Sequence, residues 1–192
     1  MSKERVEAFS DGVFAIILTL LVFGLHVPTV AAHSHLREYA VAMAPLIPQV
    51  VSFALTFVMI CVYWVGHHQF FQHVGQVTIA LVWLNNLFLL WLCLLPFPTA
   101  LLGTHPVDQF PILLYGVDAL LGALAFAGLR YYARQAKLFR EEHAKALGPR
   151  RSLPSIALYA ASIAFAFVSV YVSLACFFAV PLLYSWKSMW QA

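Results

Sequence analysis

The chain has 192 residues, 62% of them hydrophobic and 10% charged, with a mean hydropathy of +0.84 and a net charge of +3. So little charge cannot cover a soluble surface, which excludes a soluble enzyme or a free nucleic-acid-binding domain and makes the chain an integral membrane protein. The net charge is small, but its placement is informative.

A membrane helix needs about 20 mostly apolar residues. The first predicted span is Val6–Val27, within RVEAFSDGVFAIILTLLVFGL. Its apolar run is too long for a cleaved signal peptide, lacks a small-residue cleavage site and opens among Glu4, Glu7 and Asp11. At about 100° per residue, Phe9, Gly12, Ile16, Leu20 and Phe23 share one face with Thr19 at its margin, while Asp11 falls on another with Ala15, Leu18 and Val22. Asp11 therefore reads either as a brace behind the Ile16 stripe or as a carboxylate at the positive end of the helix dipole.

The second predicted span, Ala42–Val65, runs into YWVGHHQFF, with His67, His68 and then His73. Neighbouring His67 and His68 diverge on a helix, so no pair at i, i+4 forms a metal face. A histidine bonded to a carboxylate near the membrane surface fits better, and Asp11 lies at a matching depth. The third span, Val77–Leu102, holds Asn85 and Asn86, polar groups that usually bond a neighbouring helix. Pro96 and Pro98 predict an irregular or terminated helix near its far end. The fourth span, Val107–Leu129, carries Asp118 near its middle and the small residues Ala119, Ala123 and Ala127 at every fourth position. Asp118 reads as a protonated or paired acid, or as a proton or ion site.

A basic stretch, Arg130–Arg151, follows, read as a helical extension and then a loop around Gly148–Pro149. Its plain reading is a solvated linker near acidic headgroups, against a regulatory binding site. The last apolar run, Leu153–Trp186, is long for one span and barely enough for two, and no Gly, Pro or Asn marks a turn between Ile156 and Val180. Hydropathy leaves it open between one tilted helix and a hairpin. Lys3 and Arg5 precede the first span, seven Lys/Arg lie in Arg130–Arg151, and only Arg37 falls in the intervening loops of the other face. The positive-inside rule puts the N-terminus and the linker in the cytoplasm, and Lys187 favours the same side for the C-terminus, hence six spans over five.

Cys61, Cys93 and Cys176 sit singly in apolar runs and read as packing residues. No nucleophile–histidine–acid set, HExxH, phosphate loop or haem or flavin motif occurs, so no enzyme, metal site or cofactor is expected, and nucleic-acid binding has no support beyond the linker's charge.

Arg5, Phe9, Ser10 and Asp11 form RxxxFSD, followed by Ala15–Ile16 and Thr19–Leu20–Leu21. With YWVGHHQFF and NNLFLLWLCLLPFPTALLG in order, the first half of the chain resembles the transmembrane protein 175 family, lysosomal potassium channels of animals and their smaller bacterial relatives. The second half agrees in hydropathy and in the basic linker. The resemblance implies an all-α, polytopic subunit of six transmembrane helices, one domain over residues 1–192 with a cytoplasmic linker at about 130–152. It also implies a homotetramer in the bacterial inner membrane, termini cytoplasmic, whose first helices line a potassium-selective pore. Matched to this chain, Ile16, Leu20 and Phe23 become the narrow apolar layers and Thr19 a polar ring, with K+ as the permeant ion and no cofactor. Phe9, Ser10 and Asp11 would lock that helix to the next two spans through His67 or His68 and Asn85 or Asn86. Two residues depart from the pattern: Gly12 stands where Ala is commoner, and Phe23 is bulkier than an aliphatic residue. The alternatives are a proton-coupled or other secondary transporter, which Asp118 and the histidines would serve, and a structural membrane protein with no pore.

Overall fold

In the computed structural model, which describes residues 2–31, 35–139 and 149–189, the first span forms as α1, Lys3–Leu20, and a 3-10 turn extends it through Leu21–Gly24. A short exposed helix, α2 (Leu36–Met43), opens the second hydrophobic segment, where Glu38 Oε2 accepts from the His35 N–H at 2.9 Å. A 3-10 turn at Ala44–Leu46 leads into α3, Ile47–His73. The helix continues eight residues past the predicted Val65 end and carries the histidines of YWVGHHQFF.

The third span is broken where the prolines stand. α4 covers Ile79–Leu94 and α5 covers Pro96–Thr104. Pro96 and Pro98 have no N–H to donate, so the ladder shortens at the junction: Leu95 N–H reaches Leu92 O, and Thr99 bonds Leu95 O through both its N–H and its hydroxyl, the latter at 2.7 Å. Chain direction is kept, so the break is a kink and not an end. α6, Gln109–Gln135, runs six residues past the predicted Leu129 end. The remainder of the linker, residues 140–148 with the Gly148 turn, lies outside the described residues.

The final apolar run is a hairpin. α7 (Leu153–Phe165) and α8 (Val170–Met189) are joined at Ala166–Ser169, with no glycine or proline in the turn. Two serines tie the reversal: Ser169 N–H bonds Phe165 O at 2.7 Å, a carbonyl at the helix end, and buried Ser173 donates at 2.6 Å to Ser162 O, which also accepts from Ala166 N–H. The 13 residues of α7 span about 20 Å, less than the roughly 30 Å hydrocarbon layer. The all-α polytopic reading thus holds, with four helical segments long and apolar enough to cross and two shorter apolar helices folded against them among the described residues.

The helices alternate in direction. At one end Lys3 Nζ donates to Gln72 O (3.4 Å), Gly75 N–H to Leu138 O (2.8 Å) and Tyr184 OH to Arg151 O (2.7 Å). Val74 and Phe139 form an antiparallel bridge there. At the other end His26 N–H meets Gln49 Oε1 (3.0 Å) and Gln109 Nε2 meets Ala166 O (3.1 Å). Small residues set the closest approaches. A Cβ on Gly103 would lie 2.6 Å from Ser52 Oγ and 2.8 Å from Gln49 Cα, so only glycine lets α5 lie against α3. Ala119 and Ala123 of the predicted small-residue face are buried. The core between α1, α3, α4 and α6 is aromatic, with Phe88 stacked on Phe126 at 4.7 Å.

Candidate functional site on the first helix

α1 has two different sides. Val6, Ser10, Phe14, Ile17 and Leu21 recur at i, i+4, i+8, i+11 and i+15 and are all buried. Away from them lies the stripe singled out from the sequence: Phe9, Ile16, Leu20 and Phe23 are 57%, 59%, 44% and 79% exposed in the single subunit, and Gly12 and Thr19 are exposed too. A Cβ on Gly12 would meet nothing within 4 Å, so the departure from Ala at this position leaves open surface within the subunit. Phe23 lies in the 3-10 turn, not on the α-helix proper.

The buried side is held by a polar chain across three helices. Ser10 Oγ donates to Val6 O at 2.8 Å, the back-bond common for a helical serine. Its oxygen also accepts from Asn85 Nδ2 of α4 at 2.9 Å. Asn85 Oδ1 is 2.8 Å from His67 Nε2 of α3. Ser10, Asn85 and His67 are each at most 1% exposed. An amide joins the other two because it donates at one atom and accepts at the other. Aromatic rings close around the imidazole: Phe71 at 4.6 Å, Phe14 at 5.5 Å edge-on and Phe88 at 6.1 Å stacked.

Asp11 takes no part in this chain, contrary to the expectation from the resemblance. One residue beyond Ser10 is about 100° around the helix, which carries the carboxylate out of the core to the exposed edge. There Oδ1 accepts from Trp64 Nε1 of α3 at 2.9 Å. Trp64 stacks on His68 at 5.9 Å, and His68 Nε2 meets Gln72 Nε2 at 2.9 Å. So His68 stands behind Asp11's partner and does not bond the acid itself. Asn86 makes no side-chain hydrogen bond among the described residues, and neither does Arg5, which is exposed. Phe9 is more than half exposed in the single subunit. Trp64 went unremarked in the sequence, although an indole N–H one turn before the His pair was its available signal.

Thr19 Oγ1 donates to Ile16 O at 2.8 Å. With its proton committed to the backbone, the exposed hydroxyl turns lone pairs outward, the polarity a cation requires. No charged side chain lies on the Ile16 stripe. Among the described residues no group of three or more His, Cys, Asp or Glu could hold a metal ion. Asp118 is 6% exposed on α6, and its Oδ2 has no partner among the described residues.

An exposed stripe, a buried polar anchor and a break at two prolines are the features against which relatives can be compared. The sequence model of the family described as endosomal/lysosomal potassium channel TMEM175 matches residues 5–96. A potassium channel of Chryseobacterium sp. (strain P1-3) is 32% identical over 189 residues, covering 96% of this chain and 93% of its own. The crystal structure of a lysosomal potassium-selective channel TMEM175 homologue from Chamaesiphon minutus superposes with a TM-score of 0.84, at 30% identity and over 97% of both chains. This chain belongs to the TMEM175 family. The Homo sapiens endosomal/lysosomal proton channel TMEM175 is 33% identical over 117 residues, 57% of this chain but 23% of its own length. The family is one of ion channels and not an enzyme class, and the second half of the chain shares it, since the Chryseobacterium and Chamaesiphon matches run almost end to end.

Proposed function

We propose that four copies of this chain form a potassium-selective channel whose first helices surround the pore, with K+ as the permeant ion and no cofactor. The observation that carries the reading is the division of α1: one side is anchored through Ser10, Asn85 and His67, while Ile16, Leu20 and Phe23 stand exposed with Thr19 beside them. Apolar exposure alone would suit lipid tails. The Asp11 carboxylate on the neighbouring exposed edge and the Thr19 hydroxyl suit them less, because charged and polar groups facing hydrocarbon are costly even with one partner each. Other subunits and water fit that surface better. A closed ring of copies gives each α1 the same surroundings, which a single helix cannot make into a pore. The potassium-channel names of the bacterial relatives support the choice of ion.

In this arrangement Ile16, Leu20 and Phe23 form stacked apolar rings that gate by excluding water, and Thr19 supplies oxygens to a partly dehydrated cation. RxxxFSD then has divided roles: Ser10 anchors the helix, Asp11 and Trp64 hold its flank, and Phe9 and Arg5 face outward. Residues 1–192 act as one channel domain in the bacterial inner membrane. The end that carries Lys3, Arg5, Arg130, Arg134 and Lys137 faces the cytoplasm, as do both termini.

Reversal potentials in planar bilayers, with potassium and sodium on opposite sides, test the assignment. Ile16→Asn raises current and lowers the preference for potassium, since a polar ring wets the gate for either ion. Thr19→Val lowers current. An unchanged reversal potential in both removes α1 from the pore. A secondary transporter, which buried Asp118 would serve, predicts slow saturable flux without unitary currents.

A further inference from the structure

The 3-10 turn Leu21–Gly24, which carries the exposed Phe23 ring, rests on α5. A Cβ on Gly24 would lie 3.2 Å from Ala100 Cβ and 3.6 Å from Ala100 Cα. Just beyond the turn His26 N–H is held by Gln49 Oε1 of α3, and Gly103 of α5 lies against that same Gln49. A 3-10 turn is a weaker ladder than an α-helix, so what it packs on does much to fix its position. α5 itself is joined loosely to the helix before it. Pro96 and Pro98 offer no N–H to Leu92 O and Leu94 O, and Leu95 N–H bonds Leu92 O at a long 3.3 Å.

Buried hydroxyls seat α5 in the bundle. Thr99 Oγ1 donates to Leu95 O at 2.7 Å. A hydroxyl has one proton, so in the 2.9 Å contact between Thr99 Oγ1 and Thr56 Oγ1 of α3 the donor is Thr56. Thr56 Oγ1 in turn accepts from Tyr115 OH of α6 at 3.1 Å, whereas Met59 Sδ, the other acceptor near that phenol, is 3.8 Å away. Thr56, Thr99 and Tyr115 are all buried. The donors therefore run in one order, from α6 to α3 to α5, and end at the carbonyl beside the proline joint. We propose that this hydroxyl chain sets the outer constriction of the pore: it seats α5, and α5, through Ala100 against Gly24, holds Phe23 at its distance from the axis. Thr56, Thr99, Tyr115 and Ala100 are then positioning residues that act through Phe23, a role that rests on the reading of α1 as the pore helix.

The test is single-channel recording of the purified full chain in planar bilayers, with the Tm of each variant measured alongside. Phe23→Ala raises open probability; no change there removes Phe23 from the pore, and the proposal falls together with the reading beneath it. Thr99→Val and Tyr115→Phe remove hydroxyls and little else, and each raises open probability about threefold, the ratio that one average interhelical bond in a membrane confers on a two-state equilibrium. Gly24→Ala pushes the turn off Ala100 toward the axis and lowers open probability, and adding Ala100→Gly restores it. Thr104→Val, whose hydroxyl bonds stay within its own turn of α5 and the adjoining His105, leaves the currents unchanged. In a Phe23→Ala background Thr99→Val has no further effect. If Tyr115→Phe does not fold, Thr99→Val and Gly24→Ala carry the test. Parental open probability in both of these, with Phe23→Ala active, overturns the brace and leaves the pore reading standing. A lowered Tm with unchanged open probability assigns the hydroxyl chain to packing alone and overturns the proposal. An equal effect of Thr99→Val with and without the Phe23 ring overturns the coupling.

Discussion

Asn85→Ala removes the middle of the chain that holds α1. Two bonds go, Asn85 Nδ2 to Ser10 Oγ at 2.9 Å and Asn85 Oδ1 to His67 Nε2 at 2.8 Å. The losses on the two sides differ. Ser10 keeps its donor bond to Val6 O, so it forfeits only an accepted bond. His67 loses its only side-chain hydrogen bond among the described residues while almost fully buried among Phe14, Phe71 and Phe88. An unsatisfied buried polar group costs about 1–3 kcal/mol, whereas interhelical bonds within membranes average about 0.6 kcal/mol each, because the separated helices find other partners. Two average bonds give about 1.2 kcal/mol as a lower bound, and stranding His67 sets the upper bound at about 3 kcal/mol. The assay is reversible unfolding in mixed micelles, with Asn86→Ala as the control, since Asn86 makes no side-chain hydrogen bond among the described residues. The expected loss is about 1–3 kcal/mol for Asn85→Ala and under about 0.5 kcal/mol for the control. Equal losses in the two variants would refute the reasoning, because the cost would then come from shortening a side chain in α4 and not from breaking the link to α1.

Asp11→Ala should leave the subunit folded, with a loss under about 1 kcal/mol, because the bond to Trp64 is exposed; a larger loss in the same unfolding assay would mean that the acid has buried partners in the assembly. Gly103→Ala should destabilise by about 1–3 kcal/mol, since its Cβ would meet the Gln49 backbone at 2.8 Å, while Gly12→Ala, with open space around it, should be neutral or slightly stabilising. Cysteine placed at position 190, with Cys61, Cys93 and Cys176 replaced, should be labelled by an impermeant reagent only after the cells are opened. Labelling in intact cells would place the C-terminus outside.

Hydropathy alone located the four long segments, because spanning the bilayer demands apolar length irrespective of what packs where. It also placed Ile16, Leu20 and Phe23 on one stripe and Asp11 off it, which requires only the helical period. Which side of α1 is buried was not legible in the same way. In a membrane helix both the lipid-compatible and the packed faces are apolar, so contrast between them is weak and the polar minority must decide. That minority pointed to the right helices but mispaired one residue. Ser10 and Asp11 are neighbours in sequence, and a carboxylate is the stronger candidate for a buried partner. Only the packing of α1 on α3 and α4 shows that the hydroxyl faces inward and the acid outward to Trp64. Arg130 is the converse case: charge predicted solvent, but α6 continues past Leu129 with its buried face unchanged, so the helix carries the guanidinium inward to Phe126 and Ser152. The α7–α8 turn has no local signal at all in Gly, Pro or Asn. Its specification is tertiary, in Ser173 reaching Ser162 O eleven residues back, a contact that exists only once the two helices have folded against each other.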